Sequence, residues 1–402
     1  ENVSMEKANL QKASMQKAKF ITFILLCLMS IMTLEAQEKF TFSGTISEAT
    51  SNETLIGVNI LVPELQTGTT TNEYGFYSIT LPEGSYNIII SYIGFENIEE
   101  TIVLSENITK DYSLFEAAES LDEVVIVQNI EKLNLRKPQM SVNVLSSGTI
   151  KDIPVVLGEA DVIKAITLLP GVTSAGEGAS GFNVRGGAAD QNLILLDEAT
   201  IYNSSHLFGF FSVFNPDAIK DLKLYKGGIP ARYGGRVSSV LDIYQKEGNS
   251  NAFHANGGIG IVSSRLLAEG PIQKEKGSFL LGGRASYAHL FLPLFDVENV
   301  AYFYDLNTKI SYRINKNNNV YLSGYFGRDV FSINESFKNT YGNTVLNFRW
   351  NHLFSDKLFS NLSLIYSDYY YGLNLDFVGF NWNSGIRNFN VKYDFKHYAS
   401  DK

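Results

Sequence analysis

Cysteine is almost missing from this chain: Cys27 is the single one among 402 residues, and it lies inside an apolar run near the start. A disulfide framework, and thiolate chemistry anywhere downstream, are excluded. Charge is also sparse, with 19% charged residues and a net charge of -9, and no cluster of Lys and Arg follows Lys19. Phosphate-backbone binding needs such clusters, so nucleic acid is not an expected partner. The five histidines are His206, His254, His289, His352 and His397, and none has a second histidine or a cysteine at metal-ligand spacing. Neither a metal nor a cofactor is expected. Ser204-Ser205-His206 lacks the flanking Gly-x-Ser-x-Gly of a nucleophile elbow. Gly176 to Gly181 has dinucleotide-fingerprint spacing, yet it follows Pro170-Gly171 and runs into the β-prone Phe182-Asn183-Val184. That motif needs a strand before it and a helix after it, so a loop is expected instead. No catalytic constellation remains, and an enzyme is not expected. After Leu34 no apolar run reaches the roughly 20 residues of a spanning helix, so insertion in a membrane would require a closed barrel of strands.

What is present begins with Lys17 and Lys19, an apolar run from Phe20 to Leu34, and Ala36 before Gln37. A basic start, a short apolar stretch and a small residue at the cut make residues 1–36 a secretory signal with leading residues, with Met5 or Met15 as initiator. Beyond it, 22 Tyr, 27 Phe and 33 Gly against 9 Pro favour strands joined by tight turns, so the fold class is expected to be mainly β. Residues 38–115 hold six or seven short strands bounded by turn signals, the pattern of a small β-sandwich. Residues 116–139 form a linker in which acidic residues surround Val124-Val125-Ile126-Val127. Four β-branched residues in a row favour an extended backbone, either as one more sandwich strand or as a free strand for a partner. Residues 140–248 mix helix and strand signals, with a short amphipathic helix over 158–169 stopped by Pro170-Gly171. From 249 to 402 the chain alternates strictly. Leu346, Phe348 and Trp350 interleave with Asn347, Arg349 and Asn351, and Phe389, Val391, Tyr393 and Phe395 with Asn388, Asn390, Lys392 and Asp394. Period two in segments of about ten residues with polar turns is the pattern of outer-membrane strands, and a soluble β-sandwich gives similar alternation.

Motifs along the chain carry a family resemblance. Gly57-Val58, Gly75-Phe76-Tyr77, Gly84-Ser85-Tyr86 and Tyr92-Ile93-Gly94-Phe95 resemble the carboxypeptidase-regulatory-like domain, a non-catalytic sandwich that often precedes outer-membrane receptors in Bacteroidota. Asn72 stands where that family usually has Asp. Asn183-Val184-Arg185-Gly186-Gly187, Leu195-Leu196-Asp197 and Tyr225-Lys226-Gly227-Gly228 with Arg232-Tyr233-Gly234-Gly235-Arg236 resemble the plug of TonB-dependent receptors, and Glu198 departs from the Gly found in many members. Leu121-Asp122-Glu123-Val124-Val125-Ile126-Val127 resembles a TonB box.

The resemblance implies a TonB-dependent outer-membrane receptor with its N-terminal domain in the periplasm. It would import a scarce nutrient (siderophore, cofactor, peptide or glycan), with TonB and its ExbB/ExbD complex, a small ligand and outer-membrane lipid as partners. A non-transporting docking or signalling scaffold is the alternative. A surface lipoprotein lid belongs to a subgroup whose usual Asn-Asp-Pro-Leu-Tyr stretch is absent here. Asp122, Glu123, Val124, Val125, Ile126 and Val127 are expected to pair with TonB. Arg185, Gly186, Gly187, Arg232, Gly234 and Arg236 are expected at plug–barrel contacts, the arginines gripping barrel carboxylates. Phe208, Phe210 and Phe211 are expected on a ligand-facing plug loop. About 150 residues after the plug hold seven or eight strands, against about 22 in a plugged barrel, so the barrel is expected to be its N-terminal part and the sequence truncated.

Overall fold

Short strands separated by turn residues produce the N-terminal unit. The computed structural model describes residue 19 and residues 38–117, 141–151, 153, 160–176, 181–291, 293, 299–333 and 336–399. The first eight strands are β1 (Lys39–Glu48), β2 (Asn59–Val62), β3 (Thr67–Thr70), β4 (Phe76–Pro82), β5 (Gly84–Ser91), β6 (Ile98–Leu104), β7 (Ile108–Thr109) and β8 (Tyr112–Leu114). They form two four-stranded sheets: β4-β1-β7, with β8 also on β1, and β3-β2-β5-β6. Alternate residues point inward, and Phe42, Ile46, Ile60, Tyr77, Ile88 and Ile90 fill the space between the sheets. Gly44 is required by a close approach, because an added Cβ would lie 1.9 Å from the Lys110 carbonyl oxygen. Asn72 does the work of the usual Asp: its Oδ1 accepts from the Tyr74 and Phe76 amides at 2.9 and 3.0 Å, an Asx turn that needs only the side-chain oxygen.

The central segment opens with β9 (Val142–Ser146) and two short helices, α1 (Ser147–Lys151) and α2 (Val162–Thr167). Asp161 caps α2 by accepting from the Lys164 amide at 2.9 Å, so the helix starts four residues later than the periodicity predicts. The strands that follow are β10 (Val172–Ser174), β11 (Phe182–Val184), β12 (Asn192–Leu196), β13 (Ala199–Thr200), β14 (Ser205–His206), β15 (Phe211–Ser212), β16 (Ile219–Tyr225) and β17 (Ser239–Gln245). A five-stranded mixed sheet in the order β13-β12-β17-β16-β9 is its frame. Its central strands read Leu193 to Leu196 and Val240 to Ile243, near-continuous apolar runs as expected for a strand covered on both faces.

The last part is one antiparallel sheet in sequence order: β18 (His254–Ile259), β19 (Ser263–Gln273), β20 (Gly277–Ser286), β21 (Val300–Asn315), β22 (Asn318–Ile333), β23 (Phe337–Ser355), β24 (Leu358–Leu375) and β25 (Phe380–His397). Its polarity is inverted relative to a water-soluble sheet. On β21, Asp305, Asn307, Lys309 and Ser311 are buried while Tyr304, Leu306 and Ile310 are exposed; on β23, Asn343, Asn347, Arg349 and Asn351 are buried while Leu346 and Phe348 are exposed. The buried polar face is covered by the central segment. Turns at 274–276, 316–317 and 356–357 join strands at one end. The sandwich packs against that end: Asn52 Nδ2 donates to the Glu275 carbonyl at 3.3 Å and the Thr109 hydroxyl to Asp356 at 3.4 Å. Among the described residues no helix is long and apolar enough to cross a membrane.

Because the sandwich has its own core, residues 38–115 expressed alone should show dispersed β-type amide shifts. Phe42→Ala should lower its unfolding free energy by about 3–5 kcal/mol, read from urea titration. A disordered spectrum for the unsubstituted fragment would show that its fold depends on the rest of the chain.

Candidate plug and barrel-wall site

Two turns of the central segment meet the polar face of the large sheet, and both contain consecutive non-glycine residues in left-handed conformation. Asp197 (φ 46°) and Glu198 (φ 71°) form the first, between β12 and β13, and Leu207 (φ 46°) and Phe208 (φ 56°) the second. Such backbone is unfavourable for bulky residues, and here side chains of the large sheet hold it in place. Lys309 Nζ lies 3.2 Å from the Asp197 carboxylate and donates to the Gln245 carbonyl at 2.8 Å, while Asn347 donates to the Asp197 carbonyl. Glu198 accepts from Asn361 Nδ2 at 3.2 Å, from the Ser363 hydroxyl, and from Lys392 Nζ at 3.5 Å; the Tyr74 hydroxyl of the sandwich donates to it at 3.1 Å. One carboxylate therefore joins all three parts of the chain.

The second turn centres on His206. Its Nδ1 is 2.7 Å from Asp329 and its Nε2 3.1 Å from Asp305, and its ring stacks on Phe303 with centroids 4.3 Å apart. Asp329 also accepts from the Leu207 amide at 2.8 Å, and the Tyr341 hydroxyl from the Phe208 amide at 3.1 Å. Burial works against the imidazolium, but the Asp329 and Asp305 carboxylates outweigh it and raise the His206 pKa above its usual value. Asn343 completes this edge by accepting from the Tyr202 and Asn203 amides at 3.1 and 3.3 Å. Nearer β19, Arg265 Nε donates to Asp217 at 2.7 Å. Apolar contact accompanies these bonds: Tyr325, Val345 and Ile365 join the core of the central segment, Ala218 packs with Leu267 and Leu280, and Phe208 meets Phe331 edge-on.

The arginines expected to grip the sheet do otherwise. Arg185 Nη2 donates to the Ser141 hydroxyl at 2.8 Å, within the central segment. Arg232 pairs with Glu73 of the sandwich at 2.6 Å, and Arg236 donates to the carbonyl of its neighbour Gly235 at 2.8 Å. Physically, these arginines sit on loops at the near edge of the central segment, where the sandwich and their own loops supply the oxygens. Burial of Glu73 is outweighed by Lys223, Arg232 and Lys396, which pull its pKa down to about 2. Gly187 is needed for close packing, since an added Cβ would meet the Ser238 hydroxyl at 2.3 Å; Gly186 (φ 80°) lies beside it, whereas Gly234 faces open space. Of the three phenylalanines, Phe208 and Phe210 are 38% and 59% exposed, but Phe211 is buried against Phe303 with centroids 5.5 Å apart. Phe211 is thus a packing residue, because β15 alternation turns it toward the sheet. The box over 122–127 and the loop residues 177–180 lie outside the described residues.

A cavity of about 670 Å³ lies where the three parts meet, bounded by Glu73 and Tyr74, by Glu198 and Arg232, and by Phe359 and Lys392. Residues 42–126 match the family model of the CarboxypepD_reg-like domain, and residues 134–239 that of the TonB-dependent receptor plug domain. The chain is related to the TonB-dependent receptors. It is 27% identical over 251 residues to the TonB-dependent receptor SusC of Bacteroides thetaiotaomicron, covering 59% of this chain and 24% of that protein. A TonB-dependent receptor of Formosa agariphila is 36% identical over 110 residues, 27% of this chain and 10% of its own length. The siderophore receptor PirA from Acinetobacter baumannii has a TM-score of 0.48 at 16% identity, over 63% of this chain and 44% of that one. The chain spans about a quarter of the length of SusC that it matches. The central segment is then the plug and the large sheet the wall against which it rests.

Because folding raises the His206 pKa, its ionic contribution is fully present below about pH 6.5 and is lost as pH rises through the raised value. A spin label at Phe210→Cys in a Cys27→Ser background should become more mobile as pH is raised. In His206→Gln the label should be mobile at every pH, since removing one partner of a buried pair costs about 3–5 kcal/mol. A label insensitive to pH in the parent protein would contradict the ionic clamp.

Proposed function

We propose that the protein is an outer-membrane receptor that takes up a scarce ligand, with the plug moved by force delivered through TonB. The observation that supports this most is the plug–wall interface itself. A domain meant to stay in place would be held by a large apolar core, whereas this one rests on ion pairs, amides and hydroxyls. Those contacts exchange for water at little net cost, since a typical hydrogen bond contributes only about 0.5–1.5 kcal/mol net. Exposed apolar side chains on the other face of the wall suit hydrocarbon, and the closed-barrel requirement for strands in lipid is the physical context in which they make sense.

The sandwich at the short-turn end fits a periplasmic position, because outer-membrane barrels have short periplasmic turns and longer outer loops. Phe208 and Phe210, at the opposite end of the plug, would then face incoming ligand. The segment 122–127 lies between sandwich and plug in the chain, so a pull on it acts on both. Backbone pairing of that segment with a strand of TonB is the mode of attachment.

Val125→Pro tests the reading, since it removes one backbone donor and fixes φ near -65°. Binding of the purified C-terminal domain of TonB to the membrane-embedded receptor should be lost, while Val125→Ala should retain most of it. Equal binding by the Pro variant, at equal abundance in the outer membrane, would remove this segment as the TonB attachment point.

A further inference from the structure

Residues 246–253 join β17 of the plug to β18 of the wall, and this linker keeps its shape without help from the sandwich. The Ser278 and Ser311 hydroxyls of β20 and β21 donate to the Glu247 carbonyl at 2.6 and 3.2 Å. Gly248 (φ 84°) lies so close to β20 that an added Cβ would meet the Phe279 carbonyl oxygen at 2.5 Å. Asn249 Oδ1 then accepts from the Asn251 and Ala252 amides at 2.8 and 2.9 Å, an Asx turn. The Glu247 carboxylate and the Ser250 amide are thereby presented in fixed positions.

The sandwich loop that meets the linker, residues 49–54, is likewise built from its own bonds. The Glu48 amide donates to the Glu53 carbonyl at 2.8 Å and the Asn52 amide to the Glu48 carbonyl at 2.9 Å. The Ser51 hydroxyl donates to the Glu48 carboxylate at 2.6 Å and accepts from the Glu53 amide at 3.1 Å. Across the joint, the Ser250 amide donates to the Ser51 carbonyl at 3.0 Å and Asn251 Nδ2 to the Thr50 carbonyl at 2.9 Å. The Thr54 hydroxyl donates to Glu247 Oε1 at 2.7 Å, and the Glu247 amide to Glu53 Oε1 at 3.0 Å. Lys220 of plug strand β16 completes the joint: its Nζ lies 3.4 Å from Glu53 Oε1 and donates to the Thr54 carbonyl. One loop of the sandwich thus holds a plug strand and the plug-to-wall linker at once.

We propose that this joint is a releasable staple: while docked, the sandwich loop 49–54 ties the plug to the wall, and the sandwich must part from both as a rigid body before the plug leaves. The inference deepens the receptor reading above and rests on it. Two surfaces that keep their shapes separately come apart without either unfolding. Water then takes over the freed polar groups, which are unfavourable only when buried without partners. The Glu53 and Lys220 side chains are each 11% exposed. A charge left inside without its partner is unfavourable, so the joint opens as a unit instead of fraying bond by bond.

Amide hydrogen exchange of the full-length receptor in detergent micelles, resolved to single residues by mass spectrometry, tests this without a ligand. The Ser250 amide reports the joint, the Tyr202, Asn203 and Leu207 amides report the plug on the wall, and Ile88 to Ile90 report the sandwich core. Glu53→Gln combined with Thr54→Val alters the sandwich alone. It should speed exchange about tenfold at Ser250 and also at 202, 203 and 207, with no change at 88–90. Thr50→Cys and Ala252→Cys replace exposed residues; joined by a short bis-maleimide in a Cys27→Ser background, they should slow exchange at both sets. The folded state of each form is checked by heat-resistant electrophoretic migration. Unchanged exchange at Ser250 in the Glu53→Gln, Thr54→Val variant would overturn the joint. Faster exchange there with unchanged rates at 202, 203 and 207 would overturn the staple. Equal speeding at 88–90 would show that the sandwich melts instead of parting, and would overturn it as well. A parent protein that fails to fractionate with outer membranes would overturn the receptor reading instead, independently of the exchange rates.

Discussion

Several of the polar groups buried on the inner face of the wall find their partners on the plug. Lys309, Asn347, Asn361, Ser363, Asp329 and Asn343 all lie on the covered face of the sheet, and each meets the plug. An unpaired buried charge or amide would cost far more than the bond returns when made. Plug and wall are therefore coupled more by mutual satisfaction of polar groups than by packing. Such an interface is specific in geometry yet modest in net strength.

The same constraint accounts for where backbone strain lies. Four of the non-glycine residues with positive φ are Asp197, Glu198, Leu207 and Phe208, and they occupy the two turns that touch the wall. Each unfavourable conformation costs on the order of 1–3 kcal/mol and is held by hydrogen bonds from β21 to β24. A plug moved off the wall would be free to relax at both turns. The bond from Tyr74 to Glu198 and the Glu73–Arg232 pair bring the sandwich into this arrangement. Displacement of the plug then also disturbs the sandwich that closes the short-turn end.

Much of the architecture was legible because it is local. Alternation of Leu346, Phe348 and Trp350 with Asn347, Arg349 and Asn351 identifies strand and faces within six residues, although only the structure shows that the polar half is the covered one. Turn residues such as Gly75 and Gly84 mark the sandwich. The contacts between plug and wall were not legible in the same way. His206 is 99 residues from Asp305 and 123 from Asp329, and nothing in local spacing joins them. Glu198 carried a usable signal, since a bulky acid where glycine is usual implies that the side chain has a task. The arginines at 185, 232 and 236 drew attention because they are conspicuous in the motifs, but their partners are set by loop positions that periodicity does not encode.

The central claim is that odd and even positions along a wall strand face different media, plug on one side and hydrocarbon on the other. Spin labels at Leu346→Cys, Asn347→Cys and Phe348→Cys, each in a Cys27→Ser background and in outer-membrane vesicles, test it directly through collision with oxygen and with a water-soluble nickel chelate. Labels at 346 and 348 should be mobile, accessible to oxygen and shielded from nickel, while the label at 347 should be immobile and shielded from both. Equal nickel accessibility at all three positions would mean that this face of the sheet meets water, and the account of wall and plug would fall with it.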